Sequence, residues 1–322
     1  MKLIIQMPCF NEEETLEIAL KELPRKVPGF NTVEWLIIDD GSTDNSAAVA
    51  DKCGVDHIVH LKRNKGLAEV FKAGLDACIS LGADVIVNTD ADNQYCADDI
   101  PALVKPILEG KADYVIGARP ITQIEHFSII KKMLQKFGSY VVRKVSKTEI
   151  PDAPSGFRAI SRDAAMKLNV FNSYTYTLET IIQAGRKNMA ITSVPVRVNE
   201  DLRPSRLVKS IPSYIKRSII TIFRIFIIYE PFKFFMTIGL TFCTAGLALG
   251  IRYLYFLATG SGGGHVQSLI LASILLGIGF QTILVAFIAD IIAVNRMLME
   301  DIRYRIRRQE NETDRPAKKR KK

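Results

Sequence analysis

The chain has 322 residues, 48% of them apolar, and a formal net charge of +9. That length allows one sizeable soluble domain with something added to it. Its five cysteines (Cys9, Cys53, Cys78, Cys96 and Cys243) have no paired spacing, which excludes a disulfide framework or a zinc site and fits a reducing cytosol. The basic excess suits either nucleic acid or an anionic membrane surface. It lies beside long apolar runs and lacks interleaved aromatics, so a membrane is the expected partner and nucleic acid is not.

Met1 leads straight into a strand-like run, so no cleaved signal peptide is expected. Short apolar runs at 3–7, 35–38, 57–61, 85–87 and 114–116 predict strands. Stretches at 12–23, 46–53, 68–79 and 98–108 carry apolar residues at helical spacing. This alternation predicts an α/β domain with a mostly parallel sheet and helices on both faces. Ligands of such sheets sit at the carboxyl ends of the strands. His57 and His60 have no second pair of ligands downstream and read as surface histidines. Residues 121–206 are less regular, with a further strand expected near 194–198.

Residues 208–229 combine apolar positions at helical spacing with Lys209, Lys216, Arg217 and Arg224, the pattern of an amphipathic helix lying in a membrane interface. Two apolar segments follow at about 232–257 and 268–294, each longer than the roughly 20 residues that cross a bilayer. Basic residues crowd their outer flanks, while the loop at 262–264 is glycine-rich. The positive-inside rule therefore puts both termini in the cytoplasm and makes the chain a multi-pass protein of the cytoplasmic (inner) membrane. The expected organisation is a catalytic domain at 1–207, an interfacial helix at 208–230, two membrane helices within 231–295 and a basic cytoplasmic tail at 296–322, disordered from about Gln309.

Three polar motifs fall at predicted strand ends. Asp90-Ala91-Asp92-Asn93-Gln94 follows the fourth run. Two carboxylates two residues apart can hold Mg2+ or Mn2+ while phosphate oxygens fill the remaining positions. Acidic pairs are also common in ordinary loops. Asp39-Asp40-Gly41-Ser42-Thr43-Asp44 follows the second run. Ser42, Thr43 or Asp44 can cap the next helix, and the two acids before Gly41 can accept hydrogen bonds from a ribose or base. Met7-Pro8-Cys9-Phe10-Asn11-Glu12-Glu13 reads in isolation as a helix start with Asn11 as its N-cap.

Together, and with Gly117-Ala118-Arg119, Asp152 and Ser155-Gly156-Phe157-Arg158, these motifs resemble the family-2 glycosyltransferases of GT-A fold over residues 1–206. With the interfacial helix and the two apolar segments, the chain is similar to the polyprenyl-phosphate glycosyltransferases. The resemblance implies transfer of a sugar from a UDP- or GDP-sugar to undecaprenyl or dolichyl phosphate, with inversion. It implies that Pro8, Phe10, Glu12 and Asp39, with Asp40 beside them, line the base and ribose. Asp90, Asp92 and Gln94 would surround Mg2+ or Mn2+. Arg119 would meet the acceptor phosphate, assisted by Lys132 and Ser139. Arg203 would close over the donor phosphates with Arg206 and Lys209, although the family's Gly-x-Ser-Lys is replaced here by Arg203-Pro204-Ser205-Arg206. Asp152 and Arg158 would form an internal ion pair or position the substrates. The resemblance also implies a homo-oligomer, with a tetramer as one form, since relatives form assemblies through their membrane segments.

The Gln-x-x-Arg-Trp motif of processive relatives is missing, since the one tryptophan is Trp35, so a single transfer is expected. The alternatives are a family-2 transferase acting on another lipid or a glycan hydroxyl, with Asp152 as its base, and a non-catalytic nucleotide-sugar-binding subunit.

Overall fold

The computed structural model describes residues 1–120, 139–140, 142–170, 176–200, 220, 223–224, 227–260 and 262–314. Lys132, Arg203, Arg206, Lys209 and most of the expected interfacial helix lie outside the described residues. The chain divides into two units, 1–218 with 302–322, and 219–301.

The first unit is built on a seven-stranded sheet of order β3-β2-β1-β4-β6-β5-β7. Its strands are β1 (Lys2–Cys9), β2 (Thr32–Asp39), β3 (His57–His60), β4 (Val85–Asn88), β5 (Tyr114–Ala118), β6 (Arg158–Ser161) and β7 (Ile191–Pro195). All pairings are parallel except those of β6, which runs antiparallel between β4 and β5. β1 is buried on both faces, as a central strand covered by helices must be. Leu3, Ile5 and Met7 pack with Leu16, Leu20, Leu103 and Val104 on one face. Each such side chain contributes roughly 1.5–3 kcal/mol by leaving water.

Among the described residues, this unit includes the helices α1 (Leu16–Glu22), α2 (Ser46–Lys52), α3 (Leu67–Ser80), α4 (Ile100–Leu108), α5 (Arg162–Lys167) and α6 (Thr177–Arg186). Residues Ala68, Phe71, Leu75, Cys78 and Ile79 form the buried stripe of α3 at the spacing its sequence predicts. α1 starts later than expected, with Thr15 at its N-cap position. Asn11 is therefore not a cap. Its side-chain carbonyl accepts from Thr43 N at 2.8 Å and ties the first strand end to the second. The last strand lies slightly before its expected place, at Ile191–Pro195.

The second unit contains α7 (Pro231–Ala258), a short turn at Gly262–His265, and α8 (Val266–Asp314) up to residue 301. Pro231 suits the first turn of α7, where its missing N–H has no partner to lose. Both helices are long and apolar enough to cross a bilayer. Their large apolar side chains point outward, with Leu254 60% and Ile291 70% exposed. α8 does not stop where the apolar run stops. It continues to Asp314, so residues 309–314, expected to be disordered, are helical. Arg, Met, Leu, Glu and Gln are good helix formers, and extending an existing helix needs no new nucleus.

Candidate functional site

The site is assembled at the carboxyl edge of β1, β2, β4 and β5. At the end of β2, Asp39 Oδ1 accepts from Ser42 N at 2.9 Å, and Oδ2 lies 3.2 Å from His60 Nδ1. Asp40 accepts from Lys65 N at 2.7 Å and Gly66 N at 2.9 Å, so it builds the loop that starts α3. Gly41 adopts φ 72°, and a side chain there would meet Arg63 Cα at 2.8 Å. Pro8 is buried at the end of β1, whereas Phe10 is exposed beyond it. The Glu12 backbone N–H donates to Ser46 Oγ at 2.8 Å. Thr15 Oγ lies 3.1 Å from Glu12 Oε2 and 3.0 Å from Ala91 O, linking the first motif to the acidic one.

The acidic motif follows β4. Asp90 and Asp92 are both partly accessible, and Asp92 Oδ1 accepts from Gln94 N at 3.2 Å. Burial pushes the Asp90 carboxyl up to about 7, the Asp92 charge adds to this, and the Arg119 and Arg158 guanidiniums oppose it. The pair is thus short of positive charge, and its donors are hard oxygens, so it fits a divalent cation of the Mg2+ or Mn2+ kind. Among the described residues no group of three His, Cys, Asp or Glu side chains converges. A cation here would have two protein carboxylates and take its other ligands from phosphate and water. Gln94, the third expected ligand, offers its side-chain oxygen to Arg119 Nη1 at 3.3 Å.

Arg119 follows β5. Its Nε and Nη2 fork onto Asp152 at 2.7 and 3.1 Å, and its backbone N–H reaches the same carboxylate at 3.1 Å. The side chains are 6% and 1% exposed. The expected internal ion pair is therefore present but with a different partner: Asp152 holds Arg119, not Arg158. Arg158 is fully buried and donates to Ser155 O, Ala153 O, Thr180 Oγ and the Tyr114 hydroxyl. It supports the loop behind the acids and lines no open surface. Ser139 is buried too, and accepts from Ala153 N at 3.3 Å.

That loop is pinned from several sides. Asn88 Nδ2 donates to Gly156 O at 2.9 Å and to the Tyr176 hydroxyl at 3.0 Å, while Gln6 Nε2 donates to Asn88 Oδ1. Gly156 N donates to the Tyr95 hydroxyl at 2.9 Å. A side chain on Gly156 would meet Asp90 Oδ2 at 2.7 Å. Thr15, Tyr95 and His60 were not legible as site residues in the sequence. Only the adjacency of Tyr95 to the acidic motif hinted at its place.

The sequence profile described as "Glycosyl transferase family 2" matches residues 4–168, over half of the chain. The chain belongs to glycosyl transferase family 2. This family 2 transferase is 28% identical over 202 residues to the uncharacterized protein MJ1222 of Methanocaldococcus jannaschii, covering 61% of this chain and 81% of that protein. It is 28% identical over 218 residues to the undecaprenyl-phosphate mannosyltransferase of Micrococcus luteus, covering 64% of this chain and 88% of that protein. Its fold matches glucosyl-3-phosphoglycerate synthase from Mycobacterium tuberculosis, solved with Mn2+ and UDP, at a TM-score of 0.52 and 19% identity. That match covers 69% of this chain and 79% of that one. The family 2 transferase thus has the GT-A architecture expected of it.

Proposed function

We propose that this glycosyltransferase moves one sugar from a UDP- or GDP-sugar onto a polyprenyl phosphate, with inversion, at the cytoplasmic face of a membrane. The observation that carries the reading is the fixing of Arg119 by Asp152 and Gln94 on the same sheet edge as Asp90 and Asp92. A carboxylate pair and an immobilised guanidinium side by side suit a reaction that brings two phosphorylated substrates together. Relatives named for undecaprenyl and dolichyl phosphates support the acceptor, and the two apolar helices support access to a lipid.

Mg2+ or Mn2+ held by Asp90 and Asp92 would neutralise the charge that develops on the leaving diphosphate. Asp39 accepts hydrogen bonds from the base or ribose. Arg119 holds the acceptor phosphate in line with the anomeric carbon. An acceptor phosphate oxygen bonds to that carbon as its bond to the donor diphosphate breaks, and the electron pair leaves with the nucleotide. The phosphate monoester is largely dianionic at neutral pH, its second pKa being about 6, so it needs no strong base. This agrees with Asp152 giving both oxygens to Arg119, an arrangement that disfavours Asp152 as base for a hydroxyl acceptor.

The test uses the full chain in detergent with undecaprenyl or dolichyl phosphate and Mg2+ or Mn2+. Labelled UDP-, GDP- and dTDP-sugars are offered in turn, and an extractable lipid-linked sugar is expected with at least one. Asp92→Asn should lower its rate by about 100-fold or more, the scale of losing a key electrostatic contact. No product with any donor would refute the reading.

A further inference from the structure

The end of α8 makes a contact that sugar transfer does not explain. From Ile302 onward this helix belongs to the catalytic unit. Tyr304 and Arg307, one turn apart, straddle the short helix α5. The Tyr304 hydroxyl donates to Asp163 Oδ1 at 2.8 Å, in the first turn of α5. Its ring lies 5.3 Å from the Lys167 ammonium, within cation–π range. Lys167 itself pairs with Asp163.

Arg307 takes the other end of α5. Its Nη1 lies 3.4 Å from Met166 O and 3.5 Å from Leu168 O, carbonyls of the last turn and just beyond it. A cation is favoured there because the carbonyls at the end of a helix carry the negative end of its dipole. Nη2 pairs with Asp76 on α3, and the Arg307 side chain is only 14% exposed. A lone surface ion pair contributes little. Here one guanidinium joins two helices, and a ring three residues away is gripped by a second charged pair, Asp163–Lys167.

The place of this contact is telling. β6 runs from Arg158, opposite Asn88, to Ser161, opposite Val85. α5 therefore begins at the edge of the sheet opposite to Asp90. Asp76 likewise lies in the second half of α3, whose first turn is the one beside Asp40. Neither Tyr304 nor Arg307 belongs to the substrate edge.

We propose that Tyr304 and Arg307 form a clasp by which the continuation of the second apolar helix holds the transferase domain, and so sets how readily a bilayer-borne acceptor reaches the site. The acceptor half of this proposal rests on the function proposed above. The chain leaves the catalytic unit after residue 218 and rejoins it at Ile302, through α8. A domain held at both ends samples fewer orientations, and this raises the effective concentration of site and membrane-bound acceptor. Donor binding from solution gains nothing from the clasp.

The test uses the full chain in lipid nanodiscs containing polyprenyl phosphate. Arg307→Asp should speed amide exchange in α5 and in residues 302–310 by about tenfold, as a locally opened contact does. The acceptor KM should rise by about threefold or more, with kcat and donor KM unchanged. The charge swap Asp76→Arg with Arg307→Asp should restore part of the protection, which a merely misfolded variant would not allow. Unchanged exchange in Arg307→Asp overturns the clasp. Lost protection with an unaltered acceptor KM overturns its role in acceptor access. Failure to find any sugar donor would strike the functional reading alone, because the exchange measurement still decides whether the clasp exists.

Discussion

Gly156 has no room for a methyl group, since its Cβ would lie 2.7 Å from Asp90 Oδ2 and 3.0 Å from Oδ1. The loop cannot retreat, because its carbonyl is held by Asn88 and its N–H by Tyr95. The carboxylate must move instead. Gly156→Ala is therefore expected to lower the transfer rate by about 100-fold, the cost of misplacing a site group by an ångström. Its circular dichroism should stay that of the native fold, and a native rate would show that Asp90 tolerates displacement. Asp152 acts differently. Asp152→Asn leaves Arg119 buried and without its counter-charge, so stability should fall by about 3–5 kcal/mol, read by denaturant unfolding in detergent. The sequence displays Asp90, Asp92 and Arg119 as candidates because each stands at the end of an apolar run. It does not display that Asp152 chooses Arg119 over Arg158. That choice depends on two loops meeting in space, and a fully buried arginine runs against the usual exposure of that residue.

In the sequence β3, a half-buried edge strand, shows only as Ile58-Val59 between two histidines. Strands β1, β2, β4 and β5 are legible because strands covered on both faces read as continuous apolar runs with polar ends. β6 is not: four residues, Arg158–Ser161, begin with an arginine and run against their neighbours. Its place between β4 and β5 nonetheless decides where Gly156 and Asp152 fall. At the opposite edge of the sheet, Glu34 on β2 joins its neighbours, with Lys2 Nζ of β1 and His57 Nε2 of β3 each 2.7 Å from its carboxylate. Burial pushes the Glu34 carboxyl up, but the hydrogen bonds from Lys2 and His57 outweigh this and hold it below its usual range. A carboxyl lowered by folding stabilises the native state above its unfolded pKa, and that contribution is lost as the pH falls through the lowered value. Glu34→Gln should therefore reduce Tm by about 2–4 °C at neutral pH. The gap between variant and parent should close in acid, and a gap that stays constant down to pH values below the carboxylate range would exclude this linkage.

At the scale of the whole molecule, the apolar helices make their own demand. Side chains such as Leu254 and Ile291 cannot face water over such lengths without association or a bilayer, and α7 and α8 are each long enough to span one. The flanking charge then predicts an orientation. Lys209, Lys216, Arg217, Arg224 and Lys233 precede or open α7, and Arg296, Arg303, Arg305, Arg307 and Arg308 follow the apolar part of α8, while residues 259–264 carry no charge. The positive-inside rule predicts that the glycine turn faces away from the cytoplasm and the catalytic unit into it, the orientation proposed above. Single cysteines test this directly. The native thiols interfere little: Cys9 and Cys78 are buried, and burial pushes the Cys9 thiol up to about 12, far from the reactive thiolate. Cys53, Cys96 and Cys243 can be replaced by serine. In intact cells an impermeant maleimide should label Gly263→Cys, whereas Ala317→Cys should react only after the membrane is opened. The reverse pattern would put the transferase on the far side of the membrane, away from cytoplasmic nucleotide-sugars. Equal labelling of both positions in sealed cells would mean that the two helices do not cross as a hairpin, and the positive charge would then need another partner.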